Sequence, residues 1–291
     1  MVSTSSSVTD QPASPGRAAA WMAGWLLLMV VIAVAGREAT RELSVFQVME
    51  MRSILGLLMI YPLIHMAGGL AAMKTRHLKW HAVRNTVHYG AQFAWLAALS
   101  LIPLAQVVAI EFTMPIWMVL LAAFFLGERI HVFKIVAVVL GVIGVALIVR
   151  PGGELNHGQL IALLSAMGFA ISVVMVKSLT RHDSAVLIMF WMLVIQSVIG
   201  LVPAVLVWQW PSASTWGWVV LVAFCGTFSH YCMARAMQHA DATVVVPIDF
   251  LRVPLTALAG WAVYSERVDL LTVVGTALIL CGNLVNVLRS R

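Results

Sequence analysis

Charge is what this chain lacks. Only 10% of its 291 residues are Asp, Glu, Lys or Arg, against about 25% in an ordinary soluble domain. The deficit excludes a water-soluble globular protein of this length. A hydrophobic content of 62% and a mean hydropathy of +0.96 say the same. Cysteine is scarce as well. Cys225, Cys232 and Cys281 all fall in apolar stretches without metal-ligand spacing, so neither a disulfide framework nor a metal site is expected. The sequence has no glycine-rich phosphate loop, which argues against a nucleotide-driven pump. It has no Ser/His/Asp grouping and no redox motif, so no catalytic residue and no cofactor is expected.

What the chain has in abundance is apolar runs. About 20 residues cross a bilayer as a helix. Ten runs are near that length: 18–36, 46–70, 84–102, 104–126, 133–150, 158–178, 184–208, 215–235, 241–264 and 269–288. The expected fold class is all-α integral membrane, with ten transmembrane helices. Residues 1–17 are Ser-rich and polar and are expected to form a disordered cytoplasmic tail. Ala33-Val34-Ala35 also fits a signal-peptide cleavage site, but removal of the first run would leave nine helices. With the N-terminus inside, twelve of the 18 basic residues fall on the inner side and only Arg37, Arg41, Arg150 and Arg267 on the outer. Both termini are therefore expected in the cytoplasm. The net charge of +6 reflects topology rather than a nucleic-acid partner. Trp208, Trp210, Trp216 and Trp218 flank an uncharged loop, as an outer aromatic belt does.

The two halves repeat each other. Ile110-Glu111-Phe112 is matched 138 residues later by Ile248-Asp249-Phe250, Gly127-Glu128-Arg129 by Ser265-Glu266-Arg267, and Gly144 by Gly282. Each half holds five helices, an odd number, so the second enters the membrane from the opposite side. An inverted repeat of this kind puts a substrate site near mid-depth, where the halves meet. Pro115 leaves the Glu111 carbonyl without an i+4 amide, and Pro254 does the same to Phe250 beside Asp249. Each half thus has a loosened turn next to a carboxylate.

Charges inside a membrane helix cost about 2.5–3.5 kcal/mol each. Arg52, Glu111, Asp249 and Arg252 are the four that stand out. Asp249 and Arg252 share a helical face, either as a local ion pair or with Arg252 free to bind an anionic group. Arg52 and Glu111 either pair with each other or divide a substrate between them. In the second case Arg52 grips a carboxylate and Glu111 takes an amine or a proton. Gln92 and His230 are repeat equivalents, placed to line a cavity, and Trp95 and Trp117 would suit a flat or apolar substrate if they face inward. His77 and His81 read as loop charge, and Glu128 and Glu266 as structural groups at helix ends.

Glu111-Phe112-Thr113-Met114-Pro115-Ile116-Trp117, followed by Leu126-Gly127-Glu128-Arg129, resembles the fourth-helix pattern of the drug/metabolite transporter superfamily, EamA type. Arg52 in Met51-Arg52-Ser53 resembles that family's second-helix arginine, and Pro103-Leu104-Ala105 its third-to-fourth helix junction. The likeness covers residues 18–288. The second half departs from it, with Met192 or Leu193 opposite Arg52. The resemblance implies two EamA repeats (18–150 and 151–291), a central cavity, and a secondary transporter in a bacterial cytoplasmic (inner) membrane. Its expected partners are a small-molecule substrate, the lipid bilayer and, as a candidate coupling ion, the proton. Export of amino acids or related metabolites is the first expectation. Uptake of a vitamin or nucleoside-like compound is the alternative. A membrane enzyme or structural subunit is disfavoured, because the polar groups are spread across both repeats.

Overall fold

A computed structural model describes residues 15–126, 132–149, 156–240 and 242–289. Most of the Ser-rich tail, together with Glu128, Arg129 and Arg150, lies outside them. Among the described residues the chain is helical and has no strand. The helices are α1 (Pro15–Glu42), α2 (Val45–Met66), α3 (Leu78–Leu101), α4 (Leu104–Glu111), α5 (Met114–Leu126), α6 (Val132–Val149), α7 (His157–Leu179), α8 (Ala185–Leu206), α9 (Ala213–His239), α10 (Ala242–Asp249), α11 (Arg252–Tyr264) and α12 (Leu270–Arg289). The pairs α4–α5 and α10–α11 are each one crossing broken in the middle, so the described residues make ten crossings. Among the described residues six helical runs are long and apolar enough to span a membrane by themselves. The 24-residue α3 is not among them. Its polar residues His81, Arg84, Asn85 and His88 are buried, so its polar face looks into protein.

The 138-residue offset carries through to the helix boundaries. Added to α4 it gives α10, added to α5 it gives α11, and it maps the start of α6 onto that of α12. Ser44 caps α2 by accepting from Gln47 N at 3.2 Å, and Ser184 caps α8 by accepting from Leu187 N at 3.3 Å. Both helices run 22 residues and hold a proline near the end, Pro62 and Pro203. Packing follows the same exchange of halves. α1 lies on α9 as α3 lies on α7, while α2 with α8 and α6 with α12 are self-matching pairs.

Small residues set the α6–α12 crossing. A Cβ on Gly144 would strike the carbonyl oxygen of Gly275, and one on Gly275 would strike that of Gly144. The repeat-related contact is Gly282 over Ala137, where a Cβ would sit 2.8 Å from the carbonyl oxygen. Close backbone approach of this kind is how helices associate where lipid supplies no hydrophobic drive. The burial pattern of α2 is inverted relative to a soluble protein. Gln47, Glu50, Arg52 and Ser53 are buried, whereas Ile54, Leu58 and Tyr61 are exposed. A helix between lipid and a polar interior requires that arrangement.

Candidate functional site

The two broken crossings bring their charges together. Arg252 Nη1 donates to Glu111 Oε1 at 2.7 Å, and Arg252 Nη2 donates to Asp249 Oδ2 at 3.4 Å. The two carboxylates, equivalent in the repeat, thus share one guanidinium. Each also accepts from an indole: Trp95 Nε1 at 2.9 Å on Glu111, and Trp25 Nε1 at 2.6 Å on Asp249. The Arg252 guanidinium lies 4.7 Å from the ring centre of Phe112, which meets Phe250 edge-on. The break in the first half also frees the Phe112 carbonyl, and Asn283 on α12 donates to it at 2.7 Å. Every polar group released by these breaks needs a protein or water partner at this depth, and the knot supplies several of them.

Arg52 stands apart from this knot. Its Nη1 donates to Gln92 Oε1 at 3.1 Å and to Gln196 Oε1 at 3.4 Å, so α2, α3 and α8 meet through two neutral amides. A Cβ on Gly226 would lie 2.8 Å from Arg52 Nε, so α9 closes the fourth side and its glycine makes room for the guanidinium. His230, one turn further along α9, stands within electrostatic reach of Arg52 and Arg84 and packs against Trp25 at 5.9 Å. Its side chain is nonetheless exposed.

Polar latches between the halves flank this region at opposite faces. At one face, between α7 and α8, Asp183 Oδ2 meets His81 Nε2 at 2.8 Å and accepts from Thr75 Oγ1 at 3.0 Å, while His77 stacks on His182. Burial raises the Asp183 pKa, but the bonds from His81 and Thr75 and the charges of His81 and His77 outweigh it. Its carboxyl therefore sits below the usual value. At the other face Glu42 accepts from Ser212 N at 2.6 Å and from the Ser212 and Thr215 hydroxyls. Gln47 Nε2 there donates to Gln209 O at 2.6 Å. Nearby, Arg37 reaches Glu266, whose second oxygen accepts from Leu104 N at 3.0 Å.

The broken crossings and the latches are thus matched between the two halves of the sequence. The sequence matches the EamA-like transporter family twice, over residues 16–150 and 156–288. The chain belongs to that family. Similarity to named proteins agrees. A riboflavin transporter of Rhizobium johnstonii is 32% identical over 74% of this EamA-like chain and 72% of its own. An S-adenosylmethionine uptake transporter of Rickettsia bellii is 24% identical over 88% of this chain and 90% of its own. A pseudopaline exporter of Pseudomonas aeruginosa is 27% identical over 84% and 86%. One solved protein structure superposes with a TM-score of 0.67 at 21% identity, covering 96% of this chain and 99% of its own, which speaks for the fold alone. The protein is a small-molecule transporter of the inner membrane rather than an enzyme.

Within the EamA-like chain the expected residues fall into two groups. Glu111, Asp249, Arg252 and Trp95 meet in the knot. Arg52 and Gln92 meet in the neighbouring wall, with His230 within electrostatic reach of Arg52. The Arg52–Glu111 pair does not form, because Arg252, which comes from the other half, reaches Glu111 first. Trp117 is in neither group, its indole N–H being taken by Thr113 Oγ1 at 3.2 Å across the broken turn. His77 and His81 are not mere loop charge; His81 is fully buried against Asp183. Trp25, Gln196 and Arg84 were not singled out by sequence. Arg84 and His88 lie eight and four residues before Gln92, so a helical face drawn through Gln92 would have exposed the series.

Proposed function

We propose that the protein carries a small organic metabolite by alternating access, with the substrate held in the wall built from Arg52, Gln92, Gln196 and His230. The observation behind this reading is a buried guanidinium at mid-depth that meets only neutral amides among the described residues. A charge that costs several kcal/mol to bury is retained here without a carboxylate. Residues 18–150 and 151–291 are the two halves that rock. The Asp183 latch closes the cytoplasmic mouth and the Glu42 latch the outer one, with both termini and the tail to residue 17 in the cytoplasm. The Glu111–Arg252–Asp249 knot is the joint between the halves. Glu111 and Asp249 are the groups through which a proton would couple, since each holds Arg252 only while ionised.

Export of an amino acid or related metabolite is our first reading of direction. Relatives named for riboflavin and for S-adenosylmethionine uptake favour a second, the uptake of a vitamin- or nucleoside-like compound. The indoles of Trp25 and Trp95 at the edge of the wall are compatible with either. Counterflow in proteoliposomes loaded in turn with amino acids, riboflavin and S-adenosylmethionine tests the proposal. Label accumulation by the wild type that is lost in a folded Arg52→Gln variant is the expected result. Equal accumulation in the two would remove Arg52 from the site.

A further inference from the structure

One helix turn and two helix turns before Gln92 on α3 stand His88 and Arg84, each less than a tenth exposed. The i, i+4, i+8 spacing puts all three on one face, with Arg84 about 12 Å below Gln92 along the helix. His88 lies between the two guanidiniums, within electrostatic reach of both Arg84 and Arg52. Apart from His81 Nδ1 at the Asp183 latch, six buried side-chain atoms on α2, α3 and α8 have no partner: Glu50 Oε2, Tyr89 Oη and Ser197 Oγ, the first two meeting at Gly200, and three nitrogens, on Arg84, His88 and Gln196. Arg84 Nη1 donates to Asn85 Oδ1 at 2.6 Å, but its Nε has no partner. His88 Nδ1 is bonded to the Ser172 hydroxyl at 3.1 Å, and its Nε2 has none. Gln196 accepts from Arg52 through its oxygen, and its amide nitrogen has none.

In the tautomer in which Ser172 donates to Nδ1, His88 Nε2 carries a hydrogen, and the three nitrogens are then all N–H donors. The acids at this depth do not pair with Arg84 or Arg52. Glu111 and Asp249 hold Arg252. Glu50, whose Oε2 also lacks a partner, lies against Gly200 and Tyr89 and pairs with neither arginine. Buried donors without acceptors are costly, and two cations without an anion more so. A bound acceptor bearing negative charge satisfies both.

We infer that Arg84 and His88 form a second anchor beside Arg52, and that the substrate carries an oxyanion, a carboxylate or a phosphate, held by this donor set. The inference rests on the cavity reading given above. Arg84 is also the first such group above the Asp183 latch, placed to take the oxyanion when that mouth opens.

The test uses the purified full-length protein and two probes, sodium phosphate and sodium benzoate, against sodium chloride at equal ionic strength. Concentrations stay in the millimolar range, where the general stabilising effect of phosphate is small. The wild-type Tm should rise by roughly 2 °C at ten times the Kd. The rise should vanish in Arg84→Gln and persist in part in Arg84→Lys. Replacing an unpaired buried charge by an amide does not threaten the fold, and the wild-type comparison with chloride decides even without that variant. A shift with one probe alone identifies phosphate or carboxylate as the group bound.

Identical Tm values in all three salts, or an undiminished rise in Arg84→Gln, would overturn the inference. Labelling of Gln92→Cys by a water-soluble maleimide, in a background with Cys225, Cys232 and Cys281 replaced by serine, separates the two levels. If position 92 reacts and both oxyanions are without effect, the anion inference falls and the cavity stands. If position 92 never reacts, both fall.

Discussion

Replacing Arg252 by methionine should destabilise this protein more than any other single change at its broken crossings. Arg252 is 5% exposed, and the Glu111 and Asp249 side chains are 15% and 14% exposed. Removing one partner of a buried ion pair costs about 3–5 kcal/mol. Here two carboxylates lose their cation at once, but each keeps an indole N–H, from Trp95 and Trp25. The lower end, about 3 kcal/mol, is therefore expected, which is a fall in Tm of roughly 5 °C for a chain of this size. Glu111→Gln leaves Arg252 with Asp249 at 3.4 Å and should cost about 1–2 kcal/mol. The triple change Arg252→Met, Glu111→Gln, Asp249→Asn removes all three charges and should recover most of the loss. Thermal unfolding of the purified variants reads each step. A single Arg252→Met variant as stable as wild type, or a triple variant less stable than the single, would show that the knot does not join the halves.

Other consequences are as direct. Arg52→Met and Glu111→Gln should not rescue each other in transport, because the partner of Glu111 is Arg252; Arg52→Lys, which loses the planar fork, should weaken binding about tenfold or more. Gly275→Ala should cost about 1–3 kcal/mol through its clash with the Gly144 carbonyl, whereas Gly90→Ala, with open space around it, should be neutral in the same unfolding assay. The lowered Asp183 pKa makes its contribution to stability present above the ordinary carboxylate value of about 4 and lost as pH falls through the lowered one; wild type minus Asp183→Asn, measured as Tm against pH, should shrink in that window. Reporter fusions after Met73 and Arg181 should signal cytoplasm, and fusions within 209–215 the outside.

Much of the fold was legible because the signals are periodic and repeated. The offset between Ile110-Glu111-Phe112 and Ile248-Asp249-Phe250 reappears in the boundaries of the helix pairs around them, and Pro115 and Pro254 lie in the first turn after each break. The individual contacts were less legible. Arg52 and Glu111 lie in the same half, so by sequence they either pair or share a substrate; Arg252, which arrives from the other half, is the residue that pairs with Glu111. Arg84 reads as one more basic residue near a helix end, and only its burial against Asn85 separates it from Lys79 on the same helix. The Asp183–His81 contact joins residues 102 apart in sequence, through two connections that carry no motif.

The central claim is that one cavity opens to either side in turn, and cross-linking of the latches tests it most directly. A short thiol cross-linker across Thr75→Cys and Asp183→Cys would hold the cytoplasmic mouth shut; one across Glu42→Cys and Ser212→Cys would hold the outer mouth shut. Labelling of Gln92→Cys in oriented vesicles then reports which side still reaches the wall. The account predicts that locking either mouth abolishes labelling from that side, raises it from the other, and stops transport. Labelling that continues from the locked side, or that is unchanged by either lock, would contradict it.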